Sequence, residues 1–347
     1  MSVEIYIYNN ERLLAGVVES FEYLRWTRRY ARCGAFEMKA IATPENLALL
    51  QTGNHLWKND DEEIGVIEQV ELEQADRETV TVSGRFATSL LSRRIVWGTE
   101  TLSGDLSACV ALLMNHHLIT PTDSSRHMAG IAFSSPAMGV SVNTQVSYKN
   151  LMDTVTGLCE ASDRGIKTIF SPGDGLLTVT LYTGVVSQAV FSHEYENLTE
   201  QSYIHSNLGY ANTALIGGEG EGASRVMAAI TGGTGEARRE VFVDAKDLRQ
   251  EDFGTGYQDA LLYRGQSKLS TLSVLSAFDA EVNPHGNLRY KADFDLGQVV
   301  TVLSRKWGVT LTTRITEVNE TYDEGGLSLG LVFGKGALTL IDKLKGG

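Results

Sequence analysis

Short runs in which apolar and polar residues alternate, each closed by a glycine, recur along the chain; Thr79-Val80-Thr81-Val82-Ser83-Gly84 is one of them. A period of two puts successive side chains on opposite faces of an extended backbone, and glycine supplies the turn and bulge geometries that end such a run. Stretches 5–8, 14–21, 36–41 and 64–72 follow the same rule, and Tyr23, Trp26 and Tyr30 gather aromatic rings near Gly34. The chain carries 35 glycines against 5 prolines, which fits hairpins and bulges. Its 347 residues are enough for two or three domains with separate cores. The expected fold is mainly β with α+β insertions.

The period divides the chain into three parts. Residues 1–98 read as a first β-barrel domain of short strands with one short helix, capped by Thr43, begun at Pro44 and stopped by Gly53. Residues 60–63, Asp60-Asp61-Glu62-Glu63, read as a solvated acidic turn. Residues 99–200 read as an α+β insertion module. Leu106, Cys109, Val110, Leu113 and Met114 recur at helical spacing behind Ser103 as N-cap and Asp105 as first-turn acid. A second helix over 148–161 puts Leu151, Met152, Val155, Leu158 and Cys159 on one face, and a hairpin joins 166–170 to 176–182. Residues 201–347 read as a second β-barrel domain. Its strands 210–216, 225–231 and 240–243 form a meander, and a helix over 257–278 interrupts it.

The two β regions echo one another. In the first, Gly53 and an apolar strand precede Ile67-Glu68-Gln69-Val70-Glu71, a turn with Asp76, and 79–84. In the second, Gly297 and the apolar run 299–303 precede Ile315-Thr316-Glu317-Val318-Asn319, a turn with Asp323, and 327–334. Duplication of one barrel explains the shared order; the alternative is the grammar common to all hairpins. Three copies of a twice-repeated chain make a ring of six similar units, and closed cyclic symmetry is how finite rings form.

Composition excludes several function classes. Apolar residues make up 42% and charged residues 21%, a globular composition. No run approaches the ~20 apolar residues that span a bilayer, and Glu4 within the first alternating run argues against a signal peptide, so no stable membrane insertion is expected. The net charge of −13 argues against specific nucleic-acid binding, which needs Lys and Arg on phosphates. Such acidity suits a surface that nucleic acid passes without sticking, such as an acidic lumen; solubility is the simpler alternative. Cys33, Cys109 and Cys159 are an odd count without metal spacing and read as free thiols of a reducing cytoplasm. The sequons at Asn197 and Asn319 are then accidental.

Candidate chemistry fails on named residues. His116 and His117 are adjacent on a helix end, project about 100° apart, and with His127 beyond a loop suit a helix-dipole contact better than zinc. His193-Glu194-Tyr195-Glu196-Asn197 begins like a zincin helix but has Asn197 where the second histidine belongs. The loops Gly217-Gly218-Glu219-Gly220-Glu221-Gly222 and Gly232-Gly233-Thr234-Gly235-Glu236 lack the lysine of a phosphate loop, and their acids repel phosphate. Gly218, Glu219, Glu221, Gly233 and Glu236 are instead expected in rim loops that line a channel or a ring interface. Acids 60–63 lack calcium-loop spacing and the rigid placement of glycosidase carboxylates. Trp26, Trp57, Trp97 and Trp307 lie in or beside strands and read as core or interface packing rather than sugar platforms. No catalytic, cofactor-binding or metal-ligating set is expected, and no enzymatic activity.

One combination of motifs is nonetheless specific. Leu24-Arg25-Trp26-Thr27-Arg28-Arg29-Tyr30 with Cys33-Gly34-Ala35-Phe36-Glu37-Met38 comes first, and Arg238-Arg239-Glu240-Val241-Phe242-Val243-Asp244 follows. Tyr290-Lys291-Ala292-Asp293-Phe294-Asp295-Leu296-Gly297-Gln298-Val299-Val300-Thr301-Val302, Trp307-Gly308 and Arg314-Ile315-Thr316-Glu317-Val318 complete the order. Together they resemble the hub proteins of siphophage and prophage tails. The resemblance implies two tandem tube-like β-barrels with peripheral α/β modules. It further implies a homotrimeric tail-tip or baseplate hub that joins a six-fold tail tube to a three-fold tip and leaves a channel for DNA. The implied partners are a tail tube or distal tail protein above, a tip, spike or fibre protein below, and a tape measure protein. The implied location is the virion, after assembly in the host bacterial cytoplasm. Because the sequence stops at Gly347, soon after its last strand, a lysin or fibre is expected on a separate protein. A carbohydrate- or receptor-binding tail protein is the rival reading, and a wall-degrading tail enzyme the third.

Overall fold

The computed structural model describes residues 3–334. The first β region comprises β1 (Ile5–Tyr8), β2 (Leu14–Val18), β3 (Tyr23–Arg29), β4 (Ala35–Ile41), α1 (Pro44–Leu49), β5 (His55–Lys58), β6 (Ile64–Gln74) and β7 (Glu78–Phe86). Thr43 caps α1 as expected, its side chain accepting from Asn46 N. An insertion follows: β8 (Thr99–Asp105), α2 (Leu106–Met114), β9 (Ile131–Phe133), β10 (Ser141–Ser147), α3 (Leu151–Ala161), β11 (Gly165–Ser171) and β12 (Leu176–Tyr182). Asp105, not Ser103, caps α2: it is the residue immediately before the first turn, and its side chain accepts from Ser107 N, whereas Ser103 lies two residues further back within β8. Asn150 caps α3, whose residues Leu151, Val155, Leu158 and Cys159 are buried as their spacing requires.

Then come β13 (Val186–Phe191), β14 (Leu198–Ser206), β15 (Thr213–Gly217), β16 (Met227–Ile230), β17 (Glu240–Asp244), α4 (Gln250–Phe253) and α5 (Tyr257–Thr271). The chain continues through β18 (Leu275–Val282), β19 (Val299–Ser304), β20 (Val309–Asp323) and β21 (Gly326–Gly334). Strands β15, β16 and β17 are not the expected meander. β17 lies parallel to β15 on the side away from β16, and the three form a separate small sheet under α5 with its own core. The helix expected over 257–278 stops at Thr271, and the alternating residues after it enter β18. Residues 335–347, including the chain end at Gly347, lie outside the described residues.

Thirteen strands share one sheet, in the order β14-β18-β21-β20-β3-β4-β7-β6-β5-β1-β2, with β19 on β20 and β13 on β19. The fold is mainly β, as expected. Among the described residues no set of pairings closes into a barrel. The first and last strand groups instead meet where β20 runs antiparallel to β3, from Glu317 opposite Arg29 to Tyr322 opposite Leu24.

Within that sheet the echo becomes a repeat. The antiparallel order β5-β6-β7-β4-β3 has the same pairings as β19-β20-β21-β18-β14. The β6–β7 ladder slips between Ile67 and Gln69, leaving Glu68 bulged, and the β20–β21 ladder slips between Ile315 and Glu317, leaving Thr316 bulged. Gly53 N donates to Ile67 O at 2.8 Å, and Gly297 N donates to Ile315 O at 2.8 Å. Bulges are placed features of a fold. A matching bulge and a matching glycine bond at aligned positions are more than hairpins share by default.

Candidate functional site at the seam between the repeats

Leu24, Trp26 and Arg28 fall on one face of β3 by the period of two. The first two enter the core of the first repeat, whereas Arg28 reaches the seam with β20. There Arg28 Nη1 donates to Asp295 Oδ1 at 2.7 Å and to Tyr290 OH at 2.8 Å, and its Nε lies 3.3 Å from Asp61 Oδ2. Trp26 Nε1 donates to the same Asp61 oxygen at 2.9 Å. Lys58, at the end of β5, lies 2.8 Å from Glu320 on β20 and also pairs with Asp60. Tyr290 and Tyr322 donate their hydroxyls to the two Glu320 oxygens at 2.9 and 2.7 Å. Lys291 closes the outer side, with Nζ 3.0 Å from Asp60 Oδ2.

Every buried charge in this cluster is therefore answered. Burial would raise the Asp61 carboxyl, but Arg28 and Lys58 hold it below its ordinary value. Burial would lower Lys58 and Arg28, yet the carboxylates around them raise both. Glu63 is the exception: burial, and then the Asp61 charge, push its carboxyl up to about 8. It sits where the insertion docks, accepting from Thr168 N at 3.3 Å beside an isolated bridge to Ile169. Neither of the two main grooves among the described residues is lined by residues of this cluster. Open grooves of about 410 and 550 Å³ lie along α5, one against α3 and β17 and the other against β8 and β10. Ion pairs and hydrogen bonds that join β3, β5 and β20 in this way fix the geometry of the seam.

The expectation of a solvated acidic turn at 60–63 is thus half wrong. Asp60 and Glu62 are exposed in part, but Asp61 and Glu63 are buried. Four consecutive acids do not by themselves say which two turn inward; that is set by Arg28, Trp26 and Thr168, which reach Asp61 and Glu63 from other parts of the chain.

The glycine loops are not brought together. Gly218, Glu219 and Glu221 follow the end of β15, where Glu219 N donates to Tyr257 OH at 2.7 Å and Glu219 Oε2 accepts from Gln250 N at 2.9 Å. Gly233 and Glu236 lie beyond its start, next to the Thr213 Oγ1 bond to Gly232 O at 2.8 Å. The two groups occupy opposite ends of the small sheet, and Glu221 and Glu236 are exposed.

His116 Nδ1 and His117 Nε2 lie 2.9 and 3.1 Å from Glu100 Oε1, so a carboxylate on β8 faces both of them. His193 starts a single turn that ends at Tyr195, and Asn197 is buried, accepting from Ser192 N at 2.8 Å. Among the described residues no group of three or more His, Cys, Asp or Glu side chains is placed to hold a metal ion. Nor is any helix among them long and apolar enough to cross a membrane. Trp26 is fully buried, but Trp97 is 68% exposed, with Arg126 5.1 Å above its ring.

Residues 4–335 match the family described as Siphovirus ReqiPepy6 Gp37-like protein. The chain belongs to that family. Its resemblance to siphophage and prophage tail proteins, carried at the outset by residues 24–38, 238–244 and 290–318, accordingly stands. The fold is also that of the 43 kDa tail protein of prophage MuSo2 from Shewanella oneidensis, with a TM-score of 0.65, 13% identity, and 95% of this chain and 98% of that one covered. The tail protein from Neisseria meningitidis MC58 gives 0.62 at 12% identity, covering 99% of each chain. The prophage tail protein gp18 from Listeria monocytogenes EGD-e gives 0.60 at 13% identity, covering 99% of this chain and 97% of that one. At such identities the likeness is one of fold. No curated protein matches the sequence.

Proposed function

We propose that the chain is a structural hub of a phage tail tip, a homotrimer that joins a six-fold tail tube to a three-fold tip or fibre apparatus and leaves a channel for DNA. The observation that carries this reading is the internal repeat, with bulges at Glu68 and Thr316 in equivalent ladders. Each chain supplies two similar strand units, the tube-like halves of a barrel completed by its neighbours, so three chains present six units around one axis. The buried cluster around Arg28, Asp61, Lys58 and Glu320 fixes the angle between the two units of a chain. Rigidity there is what symmetry matching needs. The insertion and the small sheet are peripheral modules, and Glu219, Glu221 and Glu236 face neighbours or the channel from the two ends of that sheet. The partners are then a tail tube or distal tail protein, a tip, spike or fibre protein, and a tape measure protein, in a virion assembled in the bacterial cytoplasm.

A second reading has one observation in its favour. Trp97 and Tyr148, 68% and 70% exposed, flank the end of the β8–β10 ribbon and offer an aromatic surface to a carbohydrate or receptor. Quantitative mass spectrometry of purified tails separates the two: three copies per tail support the hub. A fibre-like multiple, with loss of adsorption on Trp97→Ala, supports the receptor-binding reading.

A further inference from the structure

Within one chain, the first repeat meets the second through β3 on the outer half of β20. The equivalent of β3 in the second repeat is β14, and the equivalent of the outer half of β20 in the first repeat is Gln69–Gln74 of β6. Both are unpaired on the matching side. β14 pairs only with β18, and β6 from Gln69 onward pairs only with β7, among the described residues. Free edges of this kind are templates for another strand.

We propose that β14 of one chain pairs antiparallel with the outer half of β6 of the next, repeating between copies the β3–β20 seam. The inference rests on the trimeric hub reading and supplies its interface. The repeat sets the register. Phe36 stands opposite Gly84 and Phe278 opposite Phe333, each next to the bulged ladder position, so Ala35-Phe36-Glu37 corresponds to Ala277-Phe278-Asp279. Trp26, opposite Phe36, then corresponds to Tyr203, opposite Phe278. On the other side Ile315 corresponds to Ile67 and Glu320 to Leu72. Since Trp26 stands opposite Glu320 within the chain, Tyr203 stands opposite Leu72 between chains.

That pairing answers a feature the single chain leaves open. Leu72 is 66% exposed in a run, Glu71–Glu78, that is exposed throughout. The position that holds buried Glu320 at the internal seam holds an apolar residue here, and an aromatic ring meets it. Ser202 falls opposite Glu73 and Ile204 opposite Glu71, so two of the three hub contacts put a polar or charged β6 residue at the seam. The internal seam is thus an ionic lock, whereas the seam between chains is a lighter contact that can form during assembly.

The test is oxidative cross-linking of tail tips assembled in cells that supply the chain with Leu72→Cys and Tyr203→Cys. Directly opposed residues of antiparallel strands have Cα atoms about 4.5–5.5 Å apart, within the range of roughly 4.4–6.8 Å that a disulfide spans. The expected result is covalent dimers and trimers of this chain from the double variant. They should be lost with either single variant and with Glu73→Cys plus Tyr203→Cys, which face opposite sides. A tip map of the wild-type chain serves where the variant does not assemble. A neighbouring β14 on Gln69–Gln74 in this register supports the seam, and a different protein on that edge overturns it. A three-fold ring without the cross-link overturns the seam and leaves the hub standing; absence of any three-copy ring overturns both.

Discussion

Lys58 Nζ lies 2.8 Å from Glu320 Oε2, and neither side chain has surface exposed to solvent. The pair ties β5 of the first repeat to β20 of the second. Removing one partner of a buried pair costs roughly 3–5 kcal/mol, because the other charge is left without an answer. Lys58→Met should therefore destabilise by about 3–5 kcal/mol. Glu320→Gln still accepts from Tyr290 or Tyr322 and leaves Lys58 its Asp60 partner, so it should cost less. Urea denaturation of the two variants checks the order.

Stability should fall as pH rises towards 8 because of Glu63. Its folded value of about 8 lies above the ordinary 4.5, so between those values the folded state holds a proton that the unfolded state has released. Stability from this group is complete below 4.5 and declines as pH rises through 8. His55 acts in the opposite sense. Burial, and then Arg12, lower it from 6.5 to about 4, so its contribution is lost as pH falls through that window. Thermal unfolding across pH should show a decline between 6.5 and about 8, where Glu63 is no longer offset by His55, and Glu63→Gln should abolish it.

Two glycines should respond in opposite directions to alanine. Gly84 faces the bulge, where a Cβ would run into the Val66 carbonyl, so Gly84→Ala should cost about 1–3 kcal/mol. Gly157 is in α3 with open space around it, so Gly157→Ala should stabilise by roughly 0.5–1 kcal/mol. Denaturation midpoints of the two variants read both signs.

Arg12 holds the insertion against the first hairpin. Its Nε donates to Gly175 O at 2.7 Å and its Nη2 to Ala129 O at 2.8 Å, from a backbone at φ +62. Arg12→Ala should cost about 1–3 kcal/mol. Hydrogen exchange should show faster exchange at the Leu177 amide, which donates to Gly130 O.

Much of this fold was legible in the sequence. Alternation located most strands of the large sheet, Thr43 and Pro44 announced α1, and the Ile67/Ile315 echo foretold the repeat. Other features depend on partners distant in the chain. Nothing local says that β17 will lie parallel to β15, because that choice is made by α5 packing across the small sheet. Short strands such as β9 carry too few residues to display a period. The seam was missed for a related reason. Asp61 and Lys58 look like surface charges until Arg28, Tyr290 and Glu320 arrive from elsewhere to satisfy them. The glycine loops were read as rim loops, and nothing local in them tells that they sit at opposite ends of β15.

The most direct test is a cryo-electron microscopy map of the assembled tail tip with this chain placed in it. A hub of the proposed kind requires three copies around a central channel, each contributing its two repeats to a six-unit ring, with Arg28 and Glu320 at the seam inside every copy. A map with six copies, or with single copies on the outside of the tip, would contradict it.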